Sequence, residues 1–317
     1  MVTPPPLLVI VGPTGVGKTA VAVGLAATLP LEAVNADSRQ IYRGMDIGTG
    51  KPTPEEQAAL RHHLIDVVDP DERYHVARFR ADALRALADI RERGRLPVVV
   101  GGTGLYIRAL LKGLRPAPPA DPELRAELER EAREHGLTVL HERLKALDPE
   151  AASRLHPNDR VRIIRAIEVG MDRDARTPEA AAAAEWRRGV SGWRLLMVGL
   201  RQSREALNRR LALRAHQMFA RGMMEEVRRL LDAGYDVGLP SMGGIGYRQF
   251  AAVLQGRLEE EEAIRLMIRD TTRYAKRQMT WFARDAEVRW IDMKEAGGVD
   301  EATESILKHI TGEGLIE

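Results

Sequence analysis

Apolar residues of the chain follow two patterns that change over near residue 114. Before it, short unbroken apolar runs alternate with longer stretches of helical period. Leu7–Val11 is five apolar residues in a row, the signature of a strand buried on both faces. It runs into Gly12-Pro13-Thr14-Gly15-Val16-Gly17-Lys18-Thr19, after which an Ala/Leu-rich stretch predicts a helix to about Leu29. A second run, Leu31–Ala36, ends at Asp37, and a third, Leu64–Val68, ends at Asp69-Pro70. Val76–Arg93 has Ala77, Leu84, Leu87 and Ile90 near helical spacing with arginines opposite, and Gly94 stops it. Pro97–Val100 is a fourth strand, leading into Gly101-Gly102-Thr103-Gly104 and another helix. Strands alternating with helices in this order predict a parallel sheet covered on both faces.

After Arg115-Pro116-Ala117-Pro118-Pro119, a linker by composition, the pattern is helical. Helices are predicted at Asp121–Glu134, Thr138–Leu147 and Asn158–Val169, while Pro178–Glu185 is alanine-rich with little to pack. Strand character returns at Trp193–Leu200, and a last short strand is expected near Glu287–Ile291 among further helices. The predicted organisation is an α/β core, 1–114 and 193–317, interrupted by a helical insertion domain, 115–192. No internal repeat is visible.

Composition narrows the classes. In 317 residues, 44% hydrophobic and 30% charged, there is enough apolar material for a sizeable core, which excludes a largely disordered chain. No apolar run approaches the roughly 20 residues of a membrane span. There is no cysteine, so disulfides, zinc–thiolate sites, iron–sulfur clusters and a cysteine nucleophile are excluded. The formal charge is only +2, so a nucleic-acid surface would have to come from local clustering. Of the basic residues 41 are Arg and 7 Lys, which makes each lysine worth notice. The first residues are proline-rich and carry no positive charge, unlike a targeting segment, so a cytoplasmic location is expected. The histidines, His62-His63 included, have no metal-ligand spacing.

Gly12–Thr19 matches the phosphate-loop (P-loop) pattern GxxxxGK[ST] at every specified position, in the required strand–loop–helix context. Glycines let backbone N–H groups turn inward around phosphate oxygens, the helix N-terminus adds a positive field, and Lys18 adds a point charge. Thr19 can reach a metal or a phosphate oxygen. The motif leaves open whether the ligand is a nucleoside triphosphate or a bare diphosphate ester. ATP hydrolases of this class follow a later strand with an acidic Mg²⁺ ligand, yet Pro97–Val100 leads into Gly-Gly-Thr-Gly. The carboxylate stands instead at the end of the second strand, at Asp37, where an open parallel sheet binds ligands. A helix-capping role for Asp37 is the plainer alternative.

With Asp37-Ser38-Arg39-Gln40-Ile41-Tyr42-Arg43-Gly44-Met45-Asp46-Ile47-Gly48-Thr49-Gly50-Lys51-Pro52 following the loop, and then Gly101–Tyr106, His156-Pro157-Asn158-Asp159, Gly246-Tyr247-Arg248-Gln249 and Lys276–Phe282, the chain resembles the tRNA dimethylallyltransferases, also called tRNA isopentenyltransferases. The motifs recur in order from residue 12 to 282; only the long one after Asp37 is diagnostic alone. The resemblance implies a P-loop NTPase-like core and transfer of a dimethylallyl group from its diphosphate to N6 of the adenosine 3′-adjacent to a tRNA anticodon. It implies Mg²⁺ as cofactor, the anticodon stem-loop and dimethylallyl diphosphate as partners, and no obligate protein partner or membrane. Asp37 is then the expected general base and Thr19 a diphosphate and Mg²⁺ contact. Gly12, Pro13, Thr14, Gly15, Val16, Gly17 and Lys18 would cradle the diphosphate with Arg210 and Arg214, for which interhelical ion pairing is the alternative. The tRNA contacts implied are Asp37, Ser38, Arg39, Gln40, Thr103, Arg125, Val161, Arg162, Ile163, Ile164, Arg165, Gly243, Gly244, Ile245, Gly246, Tyr247 and Arg248. Many relatives carry larger side chains where Met242-Gly243-Gly244 stands, so backbone contacts are expected there.

Charge patterning adds to this. Residues 201–290 hold 17 Lys/Arg against 12 Asp/Glu. Arg269, Arg273, Lys276, Arg277 and Arg284 are expected to form one basic stripe on a helix, with Ile264, Ile268, Thr271, Ala275 and Phe282 on another, mostly apolar stripe. Such a stripe suits a phosphate backbone or is simply a solvated face. The runner-up function is a P-loop small-molecule kinase using ATP, with the helical insertion as lid. A nucleic-acid-dependent ATPase is a third class, against which the missing acidic metal ligand counts.

Overall fold

The computed structural model describes residues 4–113, 118, 121–171, 190, 192–312, 314 and 315. It divides into two compact units, Met1–Leu111 with Val190–Glu317, and Lys112–Gly189.

The first unit is built on six parallel strands, β1 (Pro6–Val11), β2 (Leu31–Asn35), β3 (His62–His63), β4 (Leu96–Gly101), β5 (Arg194–Arg201) and β6 (Val288–Asp292), in the order β3-β2-β4-β1-β5-β6. The unbroken apolar run of β1 has two destinations, because successive side chains point to opposite faces. Leu8 and Ile10 join one core with α1 (Lys18–Ala26) and α13 (Val299–Gly312), to which Val21, Leu25, Ile306 and Ile310 contribute. Leu7, Val9 and Val11 join the other with α3 (Val76–Glu92) and α4 (Gly104–Lys112), through Phe79, Leu87, Ile90, Tyr106 and Leu110. This is the parallel, doubly covered sheet that the alternation predicts.

A third core packs the segment after β2 against α9 (Arg204–Ala220), α10 (Met223–Asp232), α11 (Tyr247–Leu254) and α12 (Glu260–Phe282); Ile41, Met45, Met218, Met223, Tyr247, Phe250 and Met267 are among its members. Between β2 and α3 the short α2 (Pro54–Ala59) has a complete capping box, Thr53 with Glu56. The second unit is helical: α5 (Pro122–His135), α6 (Leu137–Leu147), α7 (Pro149–Arg154) and α8 (Arg160–Met171) enclose Leu128, Leu140, Leu144, Ile163, Ile164 and Ile167. Among the described residues, no helix is long and apolar enough to cross a membrane.

Three expectations change. Leu64–Val68 is not the third strand: the edge strand is His62–His63, paired with Ala33 and Val34. Leu64 and Asp66 take positive φ, 63° and 56°, which breaks the ladder, and the Asn35 side chain binds the Leu64 carbonyl. Only Val68 returns, as an isolated bridge to Tyr42. α7 is an additional helix, marked by Asp148 capping Ala151 N–H with Pro149 at its first position. Arg284 stands beyond the C-cap of α12 at Ala283, so it is not part of a helical stripe. The alanine-rich 178–184 segment lies outside the described residues.

Candidate active site

Gly12–Lys18 leaves β1 at the carboxyl edge of the sheet and enters α1. Gly12 has φ 146° and its missing Cβ leaves room for the Leu200 carbonyl, so any side chain here would clash with the neighbouring strand. Lys18 Nζ donates to the carbonyls of Gly12 (3.1 Å) and Pro13 (2.9 Å), folded back on its own loop. Burial lowers its pKa to about 8; the Asp37 charge pulls it up and Arg214 pushes it further down. On α9, Arg214 Nη1 is 3.5 Å from Thr14 Oγ1, and the Arg210 guanidinium borders Gly17. Burial lowers the pKa of Arg214, with Asp37 opposing that effect. Neither arginine forms an ion pair among the described residues, so interhelical ion pairing does not explain them.

Asp37 closes a turn rather than capping a helix: its Oδ1 accepts the Arg39 N–H at 2.8 Å. The segment is braced from several sides. Ser38 N–H donates to Thr103 Oγ1 (3.0 Å) in the loop after β4, Arg39 Nη1 to the Pro240 carbonyl (2.7 Å), and Gln40 Nε2 to the Gly50 carbonyl (3.0 Å).

Two cavities meet at this segment. One, of about 400 Å³, is lined by Gly15, Gly17 and Gln40 from the loops, by Lys18 and Thr19 at the start of α1, by Arg210 and Arg214 of α9 and by Arg221 at its C-cap. The other, of about 270 Å³, is lined by Ser38, Arg39, Gly243, Gly244, Ile245, Tyr247 and Arg248, with Tyr274 and Arg277 from α12. Thr14, Asp37, Thr49, Arg214 and Met218 belong to both. The first cavity has the groups that bind an anionic polyphosphate. The second is also bordered by arginines, Arg39, Arg214, Arg248 and Arg277, and adds apolar Leu211, Ala215 and Met267 beside a tyrosine whose pKa burial raises to about 12, Tyr274.

Other expected residues fall elsewhere. Thr103 supports Ser38, and Gly246 donates its N–H to Gln249 Oε1. Arg273 and Lys276 are exposed on α12. In the helical unit, Ile163 and Ile164 are core residues, so their side chains are not surface contacts. Arg125 (2.7 Å) and Arg165 (3.1 Å) converge on buried Glu168, and Arg162 pairs with Asp159 at 2.9 Å. Val161, 77% exposed, and Arg162 are the exposed positions of this run. Pro13 and Val16 are buried supports of the loop.

Two residues the sequence reading passed over hold the site together. Gln278 of α12, nearly buried, accepts Thr14 N–H through Oε1 (2.8 Å) and donates Nε2 to the Gly102 carbonyl (2.9 Å). It sits inside the Lys276–Phe282 run, which pointed to the family without assigning it. Glu226 of α10, 1% exposed, accepts the N–H groups of Asp46, Ile47 and Gly48 (2.8–3.1 Å) and the Tyr247 hydroxyl (2.7 Å). No local signal marks it.

The family model described as IPP transferase matches residues 40–285, and one described as isopentenyl transferase matches residues 5–70. A tRNA dimethylallyltransferase of Geobacter sulfurreducens is 48% identical over 286 residues, 90% of this chain and 91% of that protein. The crystal structure of a full-length tRNA isopentenylpyrophosphate transferase from Bacillus halodurans superposes with TM-score 0.67 at 39% identity, covering 97% of each chain. A eukaryotic dimethylallyltransferase crystallised acting on tRNA gives TM-score 0.78 at 26% identity, over 97% of this chain and 78% of that one. By match length, identity and coverage, the chain belongs to the IPP transferase family.

Proposed function

We propose that this chain transfers a dimethylallyl group from dimethylallyl diphosphate to N6 of the adenosine 3′-adjacent to the anticodon of a tRNA, releasing diphosphate. The observation that carries the reading is the junction of the two cavities at Asp37 and Arg214. Joining a small anionic donor to one base of a large RNA needs two mouths and one meeting point. In the reaction the bond between prenyl C1 and the diphosphate oxygen breaks, the N6–C1 bond forms, and N6 gives up a proton. Lys18, Arg210, Arg214 and the positive end of α1 take the leaving anion. Adenine N6 is a poor nucleophile because its lone pair is delocalised into the ring, and Asp37 accepts its proton.

Mg²⁺ belongs to this proposal. Among the described residues no group of three or more His, Asp or Glu is placed to hold a metal. The Thr19 hydroxyl, in the donor cavity, would help to hold an ion carried in by the diphosphate. When bound, it neutralises charge on the leaving group. On the RNA side, Ser38, Arg39, Gly243, Gly244, Ile245, Tyr247 and Arg248 surround the base, and Arg273, Lys276 and Arg277 take phosphates. In the helical unit the exposed Val161 and Arg162 are the available contacts.

The test is to supply labelled dimethylallyl diphosphate or γ-labelled ATP, with and without unmodified tRNA. Label is expected in tRNA only from the prenyl donor, on N6 of one adenosine. Phosphate transfer from ATP with no prenyl transfer would return the chain to the kinase reading.

A further inference from the structure

We propose that the indole of Trp281 is a stacking platform for an unpaired nucleobase of the substrate RNA, next to the base that enters the cavity; this rests on the functional reading above. Trp281 is 44% exposed, one of seven exposed large apolar side chains among the described residues. Exposure alone says little, but its setting is specific. Arg273, Lys276, Arg277, Thr280 and Trp281 are all exposed, and their spacing of 3, 4, 7 and 8 from Arg273 puts them on one face of α12. The indole thus occupies the end of the basic face where Arg284 was expected. Arg277, one turn back, and Tyr274, two turns back, line the cavity that contains Asp37. At 1.5 Å per residue, Trp281 lies about 6 Å and about 10 Å beyond them along the axis, the reach of a neighbouring nucleotide once the stack opens.

The ring is also held. Its five-membered edge packs on Gly104 at the start of α4, where a Cβ would collide with indole atoms. A platform fixed before binding loses little conformational entropy when a base lands on it. Trp193 offers a contrast: the Arg91 guanidinium covers its ring at 5.1 Å, whereas Trp281 has no cation over it among the described residues. An immobilised indole on a cationic face is what a single-stranded nucleic acid binds, phosphates on the cations and a base on the ring.

The test is a cycle between the side chain and the base. Affinity is measured for an unmodified anticodon stem-loop RNA and for versions made abasic, in turn, at each nucleotide flanking the target adenosine. Trp281→Ala is expected to weaken binding of the intact RNA about 5- to 150-fold, and Trp281→Phe by less than about threefold. One abasic RNA should lose a similar factor with the unaltered protein and almost nothing with Trp281→Ala. Donor affinity and thermal midpoint verify that the variants fold. As a readout that needs no truncation, the part of the fluorescence absent from Trp281→Phe should be quenched by the intact RNA and not by that abasic one. Intact affinity in Trp281→Ala, or equal losses for every abasic RNA in both proteins, overturns the platform. If the unaltered protein does not prenylate the intact stem-loop, the functional reading itself falls, and the platform with it.

Discussion

At neutral pH the Lys18 ammonium keeps its proton although burial lowers its pKa from 10.5 to about 8. Between those values the unfolded chain holds a proton that the folded one has lost, so the empty protein gains stability as pH rises through that window. Below pH 8 both forms are charged and the penalty is fully present, about 3 kcal/mol. A bound diphosphate reverses the balance by pairing with the charge. Donor affinity should therefore fall as pH rises through about 8, by up to roughly tenfold per unit, in calorimetric titrations with inorganic diphosphate. Lys18→Met should raise the denaturation free energy of the empty protein by about 1–2 kcal/mol, less than the full penalty because the Gly12 and Pro13 carbonyls lose their donor, and should abolish the pH effect on binding. A flat affinity from pH 7 to 9 in the unaltered protein would contradict this. Asp37 belongs to the same scale. Asp37→Asn keeps the acceptor for Arg39 N–H but is no base, so turnover should fall about two to four orders of magnitude while both substrates bind. Near-normal turnover at saturation would leave Asp37 a positioning residue.

α12 joins the two sides of the site. Its exposed face is basic, its Tyr274 and Arg277 reach one cavity, and Gln278 fastens the phosphate loop of the other. Gln278→Leu would leave the part-buried Thr14 N–H and the buried Gly102 carbonyl without their partner, up to about 1–3 kcal/mol each. Urea denaturation should show a loss of about 2–4 kcal/mol, with the donor KM raised more than the RNA KM. Gln278→Glu keeps the acceptor and removes the donor, so it should fall between; equal KM changes for both substrates would make the side chain a general core strut.

How far such elements can be read from sequence depends on the range of their contacts. The β1–loop–α1 unit is legible because glycine spacing, lysine and apolar run are adjacent. β3 is not, because a two-residue edge strand carries no period and the apolar run beside it is diverted at Leu64. Capping signals at Thr53-Pro54-Glu55-Glu56 and Asp148-Pro149 were present for α2 and α7, but helices of six residues have no stripe to draw notice. The position of Asp37, just beyond β2 and facing the cavities, was legible from strand-end logic. Glu226 and Gln278 were not, since their backbone partners lie 178–180 and 176–264 residues away and only folding brings them together.

At the scale of the whole molecule, the modest charge of +2 hides a segregated surface, with the excess positive charge of residues 201–290 gathered on the elements that border the cavities. Between those cavities there is a shared wall of five residues, Thr14, Asp37, Thr49, Arg214 and Met218, and each chamber has its own lining beyond it. A wall of this kind sets the kinetic order of events. Neither substrate has to leave before the other can enter, and no nucleophilic side chain is required to store the prenyl group between half-reactions. Initial rates measured across a grid of donor and RNA concentrations should give double-reciprocal lines that intersect. Parallel lines would mean a prenylated enzyme that forms and empties in turn, a sequence for which two chambers open at once would serve no purpose.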